Sequence, residues 1–193
     1  VSAQGTGSVT RPPLTRSAIV AAARSWLGTP YVHQAARKHA GCDCLGLVRG
    51  VWREVMGCEP ETPPPYTPDW AERSRTETLR DAAARHLIGI DPGDADAGDV
   101  LLFAFRDRLP AKHCALLTTA IDAPEPRILH AHEHLPVCEV PLIPAWRARI
   151  RFAFKFPGVV SAQSAPQARL RAAPDGAPPP EGSPQGGAPV RRN

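Results

Sequence analysis

A chain of 193 residues, 42% apolar and 22% charged, has the composition of a globular protein with one core, and no run approaches the length of apolar residues that spans a membrane. The formal net charge is +4, yet between positions 17 and 158 the 17 Lys and Arg are balanced by 17 Asp and Glu. A neutral body offers no electrostatic footprint for phosphate, so neither nucleic acid nor membrane is expected as a partner.

The amino-terminal stretch VSAQGTGSVTRPP has no apolar segment of the kind a secretion leader needs, so synthesis in the cytoplasm without a signal peptide is expected. Eight prolines and five glycines crowd the last 37 residues, where too few large apolar side chains remain to offset the entropy of ordering. Three segments are expected: an extension over 1–14, a folded body over 15–158, and a Pro/Gly/Ala-rich arm over 159–193. The five cysteines, Cys42, Cys44, Cys58, Cys114 and Cys138, are odd in number, which leaves at least one thiol free and fits a reducing compartment for synthesis.

In chain order, Ile19, Ala22, Ala23 and Trp26 are spaced for a helix from Thr15 or Ser17 to Leu27, stopped by Gly28 and Pro30. A second helix is expected from an Asp43 N-cap to a stop at Gly57, with Gly46 and Gly50 marking close approach of another backbone. After a proline-rich connection, Ser74 and Glu77 read as a capping box for a third helix carrying Leu79, Ala83 and Leu87. The turn-forming DPGDADAGD follows. Strands are then expected over 100–105, 113–119, 127–130 and 137–140. The last strand alternates Ile150, Phe152, Phe154 and Phe156 on a core face with Arg149, Arg151, Ala153 and Lys155 on a wet one. Helices first and strands afterwards predict an α+β fold, with helices against one face of an antiparallel sheet.

The segment GCDCLGLV puts Cys44 in the first turn of a helix capped by Asp43, where unpaired amides and the positive end of the peptide dipoles favour thiolate. His113 opens one expected strand and His130 closes the next, so a nucleophile, a base and an orienting group would all stand on rigid elements. His132 and His134 share the parity of His130. A rival reading gathers cysteines and histidines into a zinc site, but CDC has one residue between its thiols where structural zinc sites have two to four. Asp91, Asp94, Asp96 and Asp99 lack the glycine and terminal glutamate of a calcium loop. No metal and no cofactor is expected.

LGTPYVHQ, GCDCLGLV, AGDVLLF, HCALL and ILHA resemble, in order, the motifs of the NlpC/P60 family of papain-like cysteine peptidases. That resemblance implies Cys44 as nucleophile, His113 as general base, His130 as the residue orienting its imidazole, and Tyr31 as an aid to the oxyanion, with Asp43 and Leu45 beside the nucleophile in the pocket. Leu45 stands where the family has Ser or Thr, and Cys114 and Ala115 replace an apolar residue and glycine after the base. The implied substrate is the peptidoglycan stem peptide, cut between D-glutamate and diaminopimelate. HQAARKHAGCDCLGLVRGVWREVMG and PPYTPDW resemble a narrower branch, the cell-wall peptidases of phage tails and gene transfer agents. That branch implies tail hub or baseplate proteins as partners and delivery to the recipient wall. A non-catalytic tail-hub subunit, and an amidase or acyltransferase using the same Cys-His pair, are the competing readings.

Overall fold

In the computed structural model, residues 12–70, 73 and 75–160 are described; the expected extension and arm lie largely outside them. Strand β1 (Leu14–Thr15) leads into α1 (Arg16–Arg24), whose N-cap Thr15 accepts a bond from the Ala18 amide. This helix ends at Arg24, and the expected last turn to Leu27 is non-helical, although Trp26 is still buried at 2% exposure. A small hairpin, β2 (Ala36–Arg37) with β3 (Gly41–Cys42), precedes α2 (Cys44–Met56).

Helix α2 begins and ends as its sequence requires. Asp43 caps it by accepting from the Gly46 amide at 2.8 Å, and Gly57 closes it with φ of 102°. The two helical glycines differ in kind. A Cβ on Gly46 would lie 1.8 Å from the Ala35 carbonyl oxygen, a backbone contact as expected, whereas a Cβ on Gly50 would strike the Trp26 indole at 2.0 Å, a side chain instead of a backbone.

Helix α3 (Thr78–His86) corrects the capping box. Its N-cap is Glu77, without a side-chain cap bond, and the Glu77 carboxylate instead accepts the Ala111 amide at 3.0 Å; Ser74 lies outside the described residues. A long-range bond has taken the group that a local cap would have used.

The sheet is six-stranded and antiparallel, in the order β4 (Ile88–Ile90), β9 (Ile150–Lys155), β5 (Val100–Phe103), β6 (His113–Leu117), β7 (Arg127–His130) and β8 (Cys138–Pro141). The expected strands 100–105 and 113–119 are each two residues shorter. Strand β4 was not evident because its partner is β9, more than sixty positions along the chain. The turn-rich stretch after it holds a 3-10 turn (Pro92–Asp94).

Alternate residues of the strands feed two cores. Val100, Leu102, Cys114, Leu116, Leu129 and Phe154 pack with the buried faces of α1 and α2. Leu101, Phe103, Ala115, Leu117, Ile128 and Ala153 form the second core with Ile121 and Leu142, and Trp146 of α4 (Pro144–Arg147) packs against it. The sheet is therefore covered on both sides; of the residues expected on the wet face of the last strand, Arg149 and Arg151 are exposed and Lys155 is half-buried, whereas Ala153 is 1% exposed and packs in the second core. A register shift between Leu102 and Phe103 also turns Ile150 to the second core. Strand β10 (Val159–Val160) pairs in parallel with β1, so the first two residues assigned to the arm contact the body. No described helix is long and apolar enough to cross a membrane.

Candidate active site

Cys44 is the first residue of α2, and the strand next to that helix carries His113 at its start. The Cys44 thiol is half-buried and hydrogen-bonded to both His113 and Cys114. Its pKa is held well below the ordinary thiol value, chiefly because the Cys114 S–H donates to its sulfur, with the His113 charge and hydrogen bond adding to that effect and burial opposing it. The same bond pushes the Cys114 thiol well up, reinforced by burial. One sulfur is thus poised as thiolate and its neighbour as a neutral donor. Cys42, two residues before, is fully buried and pushed up to about 12 by burial, which makes it inert.

His113 and His130 are 5% and 4% exposed, and Nε2 of the first lies 3.0 Å from Nδ1 of the second. That bond leaves Nδ1 of His113 for the sulfur. Burial, followed by the neighbouring His113 and His132, lowers the His130 pKa to about 4, so this ring is neutral at ordinary pH. The strand ends at His130. His132 packs edge-on against His113, with ring centroids 5.8 Å apart, and lines the cleft, while His134 is exposed. The sequence-predicted nucleophile, base and third residue are brought together, with His132 as a fourth ring beside them.

Asp43 is 2% exposed, and each of its oxygens is occupied. Oδ1 accepts from the Gly46 amide, while Oδ2 accepts from the Gln34 amide at 2.7 Å and from the Tyr66 hydroxyl at 2.5 Å. Gln34 reaches it with φ of 62°, a left-handed conformation that aims its N–H at the carboxylate. Three donors draw negative charge away from the adjacent sulfur, which would otherwise be repelled. Tyr66 belongs to the proline-rich connection, and its carbonyl accepts from the Gln34 side chain at 2.7 Å and lies 2.9 Å from His33 Nε2. The connection is therefore tied down beside the nucleophile.

Cys44, His113, Tyr31, Tyr66 and His132 line a small cleft of about 120 Å³. Tyr31 faces it with its hydroxyl pKa raised to about 12, by burial first and then by Cys44 and Asp43, so it remains a donor. Leu45 is not in this cleft. It lines an adjoining groove, with Pro63 and Leu79, that meets the cleft at Cys44, Tyr66 and Trp70. Tyr66, Cys114 and the ring cluster were not assigned roles from sequence; PPYTPDW was the available signal for Tyr66, and the departure at Cys114 for the second. Among the described residues no three of His, Cys, Asp and Glu converge as a metal-binding group.

No protein-family model matches the chain, and no curated protein matches it. Among solved structures, the NlpC/p60 domain of the peptidoglycan hydrolase SagA is similar over 74% of this chain and 100% of its own, at 24% identity and a TM-score of 0.52. An NLP/P60-family protein from Staphylococcus aureus, described as similar to a lipoprotein, is 18% identical over 78% of this chain, which spans 45% of it, with a TM-score of 0.49. Ly7917 is 12% identical over 75% of this chain and 63% of its own, at 0.46. The first of these, with the helices packed on a six-stranded antiparallel sheet, establishes the chain's architecture as the α+β NlpC/P60 fold.

Proposed function

We propose that this chain is a cysteine peptidase that hydrolyses an amide bond in peptidoglycan stem peptides, between D-glutamate and diaminopimelate. The observation that carries the reading is the Cys44 sulfur bonded to His113, whose far nitrogen meets neutral His130 at 3.0 Å. Sharing its fold with a domain of a peptidoglycan hydrolase supports the substrate class.

In this scheme the thiolate of Cys44 attacks the scissile carbonyl. His113 donates its proton to the departing amine, leaving an acyl-thioester. Water then gives a proton to the same imidazole as it attacks, and the acid leaves. The Cys44 amide at the start of α2 and the Tyr31 hydroxyl stabilise the oxyanion. Asp43 holds the loop before the nucleophile, and Leu45 shapes the neighbouring groove. Residues 15–158 form the catalytic body and 159–193 an assembly arm that docks on tail hub or baseplate proteins of a phage-like particle, which carries the enzyme from its cytoplasmic site of synthesis to the recipient wall. The wording of the segments around Cys44 and Tyr66 supports this delivery route.

The test is digestion of isolated sacculi by the full chain, with Cys44→Ala and His113→Ala as controls and mass analysis of the products. Release of fragments ending in D-glutamate by the wild type alone is expected. No release, or equal release by Cys44→Ala, overturns the reading in favour of a structural subunit, and cleavage at another amide favours the amidase.

A further inference from the structure

We propose that Trp146, remote from the catalytic motifs in sequence, is a positioning residue for the His113–His130 pair, its indole forming the wall that fixes the planes of both imidazoles. The inference rests on the catalytic reading of Cys44 and His113 above.

The indole lies at the centre of a ring cluster. Its centroid is 5.4 Å from that of His130, edge-on at 81°, and 5.5 Å from that of His113, tilted at 39°. Phe103 at 5.3 Å, Phe105 at 5.8 Å and His132 at 6.0 Å complete the surround. Trp146 packs with the second core, on the sheet face opposite the one where α2 presents Cys44. His113 is thus held from two sides, by the nucleophile and by the indole, and along its plane by His130.

The ring is itself well anchored. It sits on α4, whose Pro144 begins the helix after Ile143, and the adjacent Arg147 donates to the Ile121 carbonyl at 2.9 Å. The Ala104 amide reaches the Arg149 carbonyl at 3.0 Å, tying the segment after α4 to the end of β5.

A fixed imidazole plane matters because His113 must keep one nitrogen on sulfur and the other on His130 while its proton moves. A ring free to rotate would lose both at once. The indole also keeps water from His130. The titratable and charged groups around that ring are His113 on β6, His132 and Glu133 beyond its own strand, Cys44 on α2, Cys138 opposite on β8, and Arg147 on α4, which is turned to Ile121. Without the indole, a hydrated His130 takes up a proton more readily, ceases to accept from His113, and repels the imidazolium that stabilises the Cys44 thiolate.

The experiment is the pH profile of Cys44 alkylation, mapped by mass spectrometry on the full chain, with exposed Cys58 as internal reference. It needs no substrate, so failure of peptidoglycan digestion by the wild type sinks the proposed function and leaves this measurement decisive. In Trp146→Ala the midpoint for Cys44 should rise by about one pH unit, with alkylation at pH 6 slowed about tenfold. Trp146→Phe should restore it to within about threefold. If Trp146→Ala loses its unfolding transition, Trp146→Leu, which keeps bulk without a plane, carries the same expectation. Leu142→Ala, which loosens the same core, should lower the melting temperature and leave the profile in place. A Trp146→Ala or Trp146→Leu profile that superimposes on wild type, or an equal shift in Leu142→Ala, overturns the proposal.

Discussion

His113 Nε2 and His130 Nδ1 meet at 3.0 Å inside the protein, so the imidazole of His113 is oriented by a second imidazole and not by a carboxylate. A neutral imidazole can accept the N–H of His113 without adding a negative charge beside the thiolate. It can do so only while it stays unprotonated, and the burial that lowers its pKa to about 4 is what keeps it so.

The first prediction follows from that burial. His130 has a folded pKa below its unfolded value near 6.5, so the unfolded chain binds the extra proton between the two. Its contribution to stability is complete above about 6.5 and is lost as pH falls toward 4, by roughly 3 kcal/mol at most. Urea unfolding of the wild type from pH 7 to 4 should show this decline, and His130→Gln, which cannot titrate, should flatten it. The same variant should retain slow hydrolysis, with kcat reduced by about ten- to a hundredfold by lost orientation. A pH dependence identical in both proteins would contradict the buried neutral assignment.

A second prediction concerns the neighbouring thiol. The Cys114 S–H is the largest influence holding Cys44 as thiolate. Replacement by valine removes that donor while keeping the site apolar, so the Cys44 midpoint in alkylation should rise, with reaction at pH 6 slowed by about threefold or more. Cys114→Ser keeps a donor and should lie near wild type. Equal reactivity of Cys114→Val and wild type would assign the activation to His113 and the helix terminus alone.

The third separates packing from the site. Gly46→Ala places a methyl against the Ala35 carbonyl, and Gly50→Ala places one against the Trp26 ring. Each should cost about 1–3 kcal/mol of stability, read as a lowered melting temperature. Gly46→Ala should also slow Cys44 alkylation, because the Ala35 segment follows Gln34, whose amide holds Asp43. Gly50→Ala should leave reactivity alone; an equal loss in both variants would refute this division.

Sequence reasoning succeeded where the deciding interaction is local. Helix α2 could be read from Asp43 to Gly57 because a cap bonds three residues away and a glycine stop acts within one turn. It failed at Glu77, where the carboxylate faced a choice between its own helix and the Ala111 amide 34 positions along. On the far side of β9 it held for Arg151, which is exposed, and missed Ala153, because nothing in an alternating strand shows that the second core will cover part of that face.

The sequence by itself determined that Cys44 begins a helix behind a capping aspartate and that His113 and His130 bound two expected strands, since periodicity, caps and turns act over a few residues. Only the tertiary structure decided which groups touch the sulfur. The packing of α2 on β6 brings Cys114 to Cys44, the pairing of β6 with β7 sets one imidazole against the other, and a short helix just before the last long strand supplies the indole beside both. Contacts between separate elements depend on strand register and on the shapes that fill two cores together, and neither is encoded in any one segment.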